Sequence, residues 1–211
     1  MHPVNCYSAH CYRRSSVRTE TRIPGGRTPT RGLAGFPEIS RGKTDPWKRI
    51  ILDQLPKILA GYGKSLPSTD AAVVVVVDLD DRDCIGFKQE LLQIQKRCYP
   101  RPRVLFRLAI EEMEAWLLGD RNAIVKAFPR AKLHALHSYR QDSICGTWER
   151  LADALFPGGS LALKAEGYPR IGEEKCKWAT LIGPHLDVES NLSTSLRVFR
   201  FGLLKLSGAE V

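Results

Sequence analysis

The sequence predicts an α/β protein with a mostly parallel sheet flanked by helices. An unbroken apolar run over residues 71–77, with five consecutive valines, is typical of a strand buried on both faces. A second apolar segment, residues 103–110, follows after an amphipathic stretch long enough for a right-handed parallel crossover. From residue 147 onward, apolar residues recur mostly at helical spacing, which predicts a helical C-terminal part.

The N-terminal residues 1–40 differ from the rest of the chain. They are rich in Arg, Ser, Thr, Gly and Pro, and their sparse hydrophobic residues follow no period. Such a segment cannot bury enough apolar surface to offset the entropy lost on ordering. We therefore predict a disordered or non-native tail over residues 1–40 and an α/β domain over residues 41–211.

The positive charge is concentrated near the N-terminus. Residues 1–43 contain seven Arg and one Lys against two Glu, which gives +6 of the total net charge of +9. A basic tail of this kind can bind nucleic-acid phosphates without sequence preference, and the alternative is a tail that is simply solvated.

The cysteines and the hydropathy favour a cytoplasmic protein. None of the six cysteines forms a CxxC pair and no secretory segment is recognised, so reduced thiols are expected. A zinc site built from His2, Cys6, His10 and Cys11 fits no standard ligand spacing. No apolar segment reaches transmembrane length, so no membrane partner is expected.

The first predicted helix opens the domain. Thr44 or Asp45 is suited to cap it, Pro46 fits its first turn, and Gly61 and Gly63 are predicted to end it. The segment of residues 131–145 is polar and is predicted to be a loop. Further helices are predicted over residues 85–98, 121–128, 147–156 and 173–186, with a last helix capped within residues 191–195.

Acidic residues follow both predicted strands. Asp78 and Asp80 end the first strand, and Glu112 and Glu114 follow the second. Because parallel strands present their carboxyl ends at one edge of the sheet, these carboxylates are expected to meet there and to hold Mg²⁺. The alternatives are an ordinary polar strand end for the aspartates and a helix start for the glutamates, where acidic residues complement the helix dipole.

Other charged residues are secondary candidates. Asp83 and Asp120 are suited either to capping a helix or to supporting the metal ligands. Lys175, Lys177 and Arg197 either approach the acidic edge or are ordinary surface charges, and the sequence favours the surface interpretation.

Several segments together resemble a known family. The Asp-x-Asp motif alone is weak, and the run from Glu112 to Asp120, Glu-Met-Glu-Ala-Trp-Leu-Leu-Gly-Asp, is the most specific. With these segments the chain resembles the bacterial domain of unknown function 4276 family, which is Toprim-like, over about residues 41–206. The matching pieces are residues 41–45, residues 77–84 with Lys88, residues 107–120, and residues 182–187 with Asn191, Ser193, Ser195 and Phe199.

The resemblance implies a Toprim-type sheet that binds Mg²⁺ between a first glutamate and an Asp-x-Asp pair. It also implies a nuclease or effector that works with an AAA-type ATPase in phage defence. The chain departs from the family at the first glutamate, because residues 1–40 contain no apolar strand that would carry it. Glu20 and Glu38 lie in unsuitable surroundings, so one metal ligand and the general base are missing from the pattern.

The preferred function is therefore metal-assisted cleavage of phosphodiester bonds. Asp78 and Asp80 would hold Mg²⁺, and Glu112 and Glu114 would complete its shell or orient its waters. The main alternative is a catalytically inactive Toprim-like module that uses the acidic edge to bind a partner.

Two other classes fit less well. A phosphatase of the haloacid dehalogenase type requires Gly-Thr after the second aspartate, where this chain has Asp81-Arg82. A Rossmann nucleotide-binding protein requires a GxGxxG turn after a strand, which the sequence lacks.

Overall fold

The computed structural model describes residues 46–66, 71–143 and 146–208, with side chains described from Asp53 onward. The predicted tail over residues 1–40 and the predicted capping residues Thr44 and Asp45 lie outside these ranges.

The first helix, α1, spans Pro46–Ser65. The prediction that it ends at Gly61 or Gly63 is wrong, because the helix continues through both glycines. Gly63 lies directly against the backbone of Pro100, and a Cβ at this position would collide with the Pro100 carbonyl. The glycine therefore permits a close approach of two backbones and does not end the helix.

The sheet of the described residues consists of two parallel strands. Strand β1 spans Val73–Asp78 and strand β2 spans Val104–Ala109. The register pairs Val73 with Val104 and Asp78 with Ala109. Helix α2, Cys84–Arg97, connects them and confirms the predicted strand–helix–strand unit with parallel strands. The Asp83 side chain caps α2 by accepting a hydrogen bond of 2.6 Å from Gly86 N, so the capping prediction for Asp83 is also confirmed.

The two strands differ in burial. All residues of β2 except Arg107 are buried, whereas those of β1 are half-buried or exposed. Val76 packs in a cluster with buried Leu196, but Val74 on the same face lies outside that cluster and is 38% exposed. The prediction that β1 is buried on both faces is therefore wrong at Val74.

The other regular elements of the described chain are helices, as predicted for the C-terminal part. The predicted loop over residues 131–145 contains a 3₁₀ turn, Leu133–Leu136. The helix expected from residue 173 begins five residues earlier, with Pro169 in its first turn, where proline needs no amide partner. The helices are α3 (Glu114–Leu118), α4 (Arg121–Ala127), α5 (Thr147–Leu155), α6 (Gly159–Ala165), α7 (Tyr168–Ile182) and α8 (Thr194–Leu206), with a second 3₁₀ turn at Gly183–His185.

Helices cover both faces of the sheet. Helices α1 and α2 pack on one face through a core that includes Leu59, Phe87 and Leu91. Helix α8 covers the other face, where Arg107 Nε donates a hydrogen bond of 3.1 Å to the Val198 carbonyl. A second core lies beneath α3 to α7. The described fold is thus α/β, with the sheet joined to a helical part.

Among the described residues, the helices are too short or too polar to span a membrane.

Candidate functional site at the carboxyl edge of the sheet

Hydrogen bonds join the two strand ends beyond the regular sheet. Leu79 N donates to the Ala109 carbonyl at 2.9 Å, and Asp80 N donates to the Glu111 carbonyl at 2.8 Å. Both Asp80 and Glu111 adopt a left-handed backbone, with φ of 54° and 55°. Aspartate tolerates this conformation better than most residues, so the turn after β1 suits an acidic residue for local reasons.

Asp78 connects the first strand end to the second acidic run. Its Oδ1 accepts a hydrogen bond of 3.0 Å from Met113 N, the backbone amide between Glu112 and Glu114. The two strand ends therefore meet at Asp78, which lies beside the second acidic run, while Asp80 is joined to Glu111 through its backbone.

Lys175 of α7 reaches this edge and contacts both predicted glutamates. Its Nζ lies 3.4 Å from Glu112 Oε2 and 3.3 Å from Glu114 Oε2. Glu114 is only 7% exposed, so its charge is largely removed from water. The interpretation of Lys175 as a surface charge is wrong, whereas Lys177 is exposed and pairs with Glu174 on its own helix.

The carboxylates control the protonation of Lys175. Burial alone lowers the pKa of its ammonium group, but the charges of Glu114, Glu112 and Asp78 outweigh that effect. The pKa of Lys175 is therefore raised above its usual range, and the group is a cation throughout the physiological pH range.

Glu111 has a role that the sequence did not reveal. Its two carboxylate oxygens accept hydrogen bonds from Gly146 N at 2.7 Å and Thr147 N at 2.8 Å. These amides belong to the first turn of α5, so Glu111 caps that helix from a distant part of the chain. Glu111 thus stabilises the fold, whereas the neighbouring Glu112 and Glu114 face Lys175.

The C-terminal segment of residues 187–195 holds α3 in place. Asn191 Nδ2 donates to the Trp116 carbonyl at 2.9 Å, and Trp116 Nε1 donates to Ser195 Oγ at 2.8 Å. Leu192 N donates to the Gly119 carbonyl at 3.0 Å. Glu114 is on the same short helix as Trp116, so this segment also fixes the position of Glu114.

Asp142 completes the support of α3. It accepts hydrogen bonds from Ser193 Oγ at 2.8 Å and Ser195 N at 3.0 Å, while its neighbour Gln141 donates to the Ala115 carbonyl at 2.8 Å. Ser193 and Ser195 are almost fully buried, so satisfying their polar groups matters for stability. The network was not predicted, although both serines belong to the segments that carry the family resemblance.

Asp120 is a helix cap, one of its two predicted roles. Its Oδ1 accepts a hydrogen bond of 3.0 Å from Ala123 N at the start of α4, and its Oδ2 accepts one of 2.9 Å from Asp187 N. The same carboxylate therefore caps α4 and contacts the C-terminal segment.

The alternative explanation for the second acidic run also has support. Glu114 is in the first turn of α3, where a negative charge complements the helix dipole. Its burial beside Lys175 is an additional feature that a simple helix start does not require.

The donors at this edge are carboxylates, the ligand type that hard divalent cations take. Three of them, those of Asp78, Glu112 and Glu114, act on the Lys175 ammonium group. Mg²⁺ typically takes one or two protein carboxylates and completes its shell with waters and phosphate oxygens. Within the described ranges, no group of three or more His, Cys, Asp or Glu side chains is placed so that it could hold a metal ion.

No protein-family model matches the chain, and neither the curated proteins nor the solved structures include a significant match to it.

Proposed function

We propose that the chain is a Toprim-like protein of the domain of unknown function 4276 type that cleaves phosphodiester bonds in nucleic acid with Mg²⁺. The observation that carries this proposal is the position of Asp78. It is the last residue of β1, accepts a hydrogen bond from Met113 N, and acts on the same ammonium group as Glu112 and Glu114, which follow β2. Carboxylates gathered at the carboxyl ends of parallel strands are a common basis for ligand and metal binding.

Asp78 and Asp80 would hold the ion, and Glu112 and Glu114 would orient its waters. When bound, Mg²⁺ supplies polarisation of a phosphate oxygen and activation of water. The buried segment around α3 keeps Glu114 in position, and Asp78 is oriented by the Met113 amide. The first glutamate of the family pattern, which would act as the general base, has no counterpart in residues 1–40.

The partners follow from the family resemblance and the charge distribution. An AAA-type ATPase would act with this chain as a nuclease or effector in phage defence. The basic residues 1–43 supply a net charge of +6 that suits contacts to phosphates of DNA or RNA.

The first test measures Mg²⁺ binding by calorimetry and cleavage of DNA and RNA by the purified chain. We expect binding and cleavage in the wild type, and loss of both in Asp78→Asn and Asp80→Asn. Asparagine keeps the size of the side chain and also tolerates the left-handed backbone of residue 80. Asp81→Asn removes an equal charge from the adjacent exposed residue and serves as the matched control.

The result that contradicts the catalytic proposal is a folded wild-type chain that binds no Mg²⁺. Cleavage that persists in both variants would also contradict it, since the activity would then come from another site or from a contaminant.

A catalytically inactive, partner-binding module is the second candidate. The observation that favours it is the pairing of Lys175 with both Glu112 and Glu114, which partly neutralises the acidic edge without a metal. ATPase binding that survives Asp80→Asn, in a chain without cleavage activity, would favour this function over the first.

A further inference from the structure

We propose that Lys175 acts as a cation built into the acidic edge, the edge of the sheet that carries Asp78, Glu112 and Glu114. Its ammonium group competes with a divalent ion for Glu112 and Glu114. This inference rests on the cation-binding part of the proposed function and adds a residue that sets the affinity for the ion.

The contacts place the ammonium group between the two glutamates. Lys175 Nζ lies within 3.4 Å of one carboxylate oxygen of Glu112 and within 3.3 Å of one of Glu114. A divalent ion near these oxygens would meet a positive charge at short range, where repulsion is strong even in a moderately polar environment. The ion therefore binds these glutamates only when the ammonium group moves away.

The helix that carries Lys175 is held in the core, whereas the lysine side chain is partly exposed. Trp178 and Ile182 of α7 are almost fully buried, so the backbone of the helix is held in the second core. The Lys175 side chain is 26% exposed, and a lysine has a flexible four-carbon stem. We therefore expect the ammonium group to turn towards water while α7 stays in place.

The same arrangement supplies a counter-charge to a buried carboxylate. Glu114 is 7% exposed, and a buried carboxylate without a counter-charge is costly. Lys175 supplies that counter-charge from within the chain. A divalent ion would take over this role and release the lysine.

The test compares Mg²⁺ affinity by calorimetry in the full chain and in Lys175→Met. We expect the variant to bind at least about tenfold more tightly, because the removed charge lies within about 4 Å of two carboxylates. Lys177→Met removes an equal charge from the exposed side of the same helix and should bind like the wild type. Circular dichroism and thermal unfolding establish that each variant is folded.

A second pair of variants covers the case in which Lys175→Met does not fold. Removing Lys175 and Glu112 together, as Lys175→Met with Glu112→Gln, keeps the charge balanced. This double variant should bind Mg²⁺ more tightly than Glu112→Gln alone. The comparison isolates the lysine, because both chains lack the same carboxylate.

The outcomes separate this inference from the proposed function. Equal affinity in the wild type and Lys175→Met overturns the inference, while the proposed function stands if binding still requires Asp78 and Asp80. Binding in Lys175→Met but none in the wild type supports the inference and contradicts catalysis by the natural chain. The absence of binding in every variant overturns both.

Discussion

The two acidic runs follow equivalent strands but have different surroundings. After β1, Asp81 and Asp83 are exposed, and Asp83 caps the helix that follows. After β2, Glu114 is buried, Glu111 caps a distant helix and Glu112 pairs with Lys175. The difference arises because β2 leads directly into α3, which packs in the interior, whereas β1 leads into an exposed turn. Residue type alone therefore does not indicate which carboxylates become part of a site.

Among substitutions that test this difference, we expect the largest loss of stability at Trp116 of α3. This residue is 8% exposed, stacks on Phe199 with ring centroids 5.2 Å apart, and donates to Ser195. Trp116→Ala should lower the free energy of unfolding by about 3–5 kcal/mol, measured by chemical denaturation. Tyr99→Ala, at a side chain that is 89% exposed, should change it by less than about 0.5 kcal/mol. A small loss in the first variant would mean that α3 is not part of the core.

A smaller effect is expected at Glu111. Glu111→Gln replaces one of two oxygens that accept from Gly146 N and Thr147 N and removes the charge facing the start of α5. The free energy of unfolding should fall by about 1–2 kcal/mol in the same denaturation experiment. Asp81→Asn makes the same chemical change in the first run and should lie within about 0.5 kcal/mol of the wild type. Equal decreases in the free energy of unfolding for both variants would contradict the difference between the two acidic runs.

The smallest expected effect is a change in the pH dependence of stability at alkaline pH, and it concerns Lys175. Because its pKa is raised in the folded state, the pair with Glu114 and Glu112 contributes stability that is fully present below the unfolded pKa of about 10.4. That contribution is lost as the pH rises through the folded pKa. The unfolding temperature should therefore fall less steeply between neutral and alkaline pH in Lys175→Met than in Lys177→Met. Parallel curves for the two variants would contradict the pKa direction.

The sequence predicts the parts of the fold that depend on neighbouring residues. The valine run, the second apolar segment and the amphipathic stretch between them indicate β1, β2 and α2, since each pattern lies within its own element. The caps at Asp83 and Asp120 are likewise local, because the amides they bind are three residues away.

The structural features that were wrongly predicted or not predicted depend on contacts between residues far apart in the sequence. Gly63 lies in the interior of α1 because it approaches Pro100, which the local sequence does not reveal. Glu111 reaches Gly146, and Lys175 reaches Glu112, each across a long stretch of chain. At the candidate site, the proximity of Asp78 to Glu112 and Glu114 was predictable from the strand ends, whereas the lysine among them depends on how α7 packs.

The support of α3 by residues 191–195 has a consequence for synthesis of the protein. A chain emerges from the ribosome beginning at its N-terminus, so Asp78, Glu112 and Glu114 are made well before Asn191 and Ser195. Helix α3 lacks its hydrogen bonds to the C-terminal segment until that segment has emerged. The acidic edge of a nascent chain therefore reaches its final geometry only after residues 191–195 have been made.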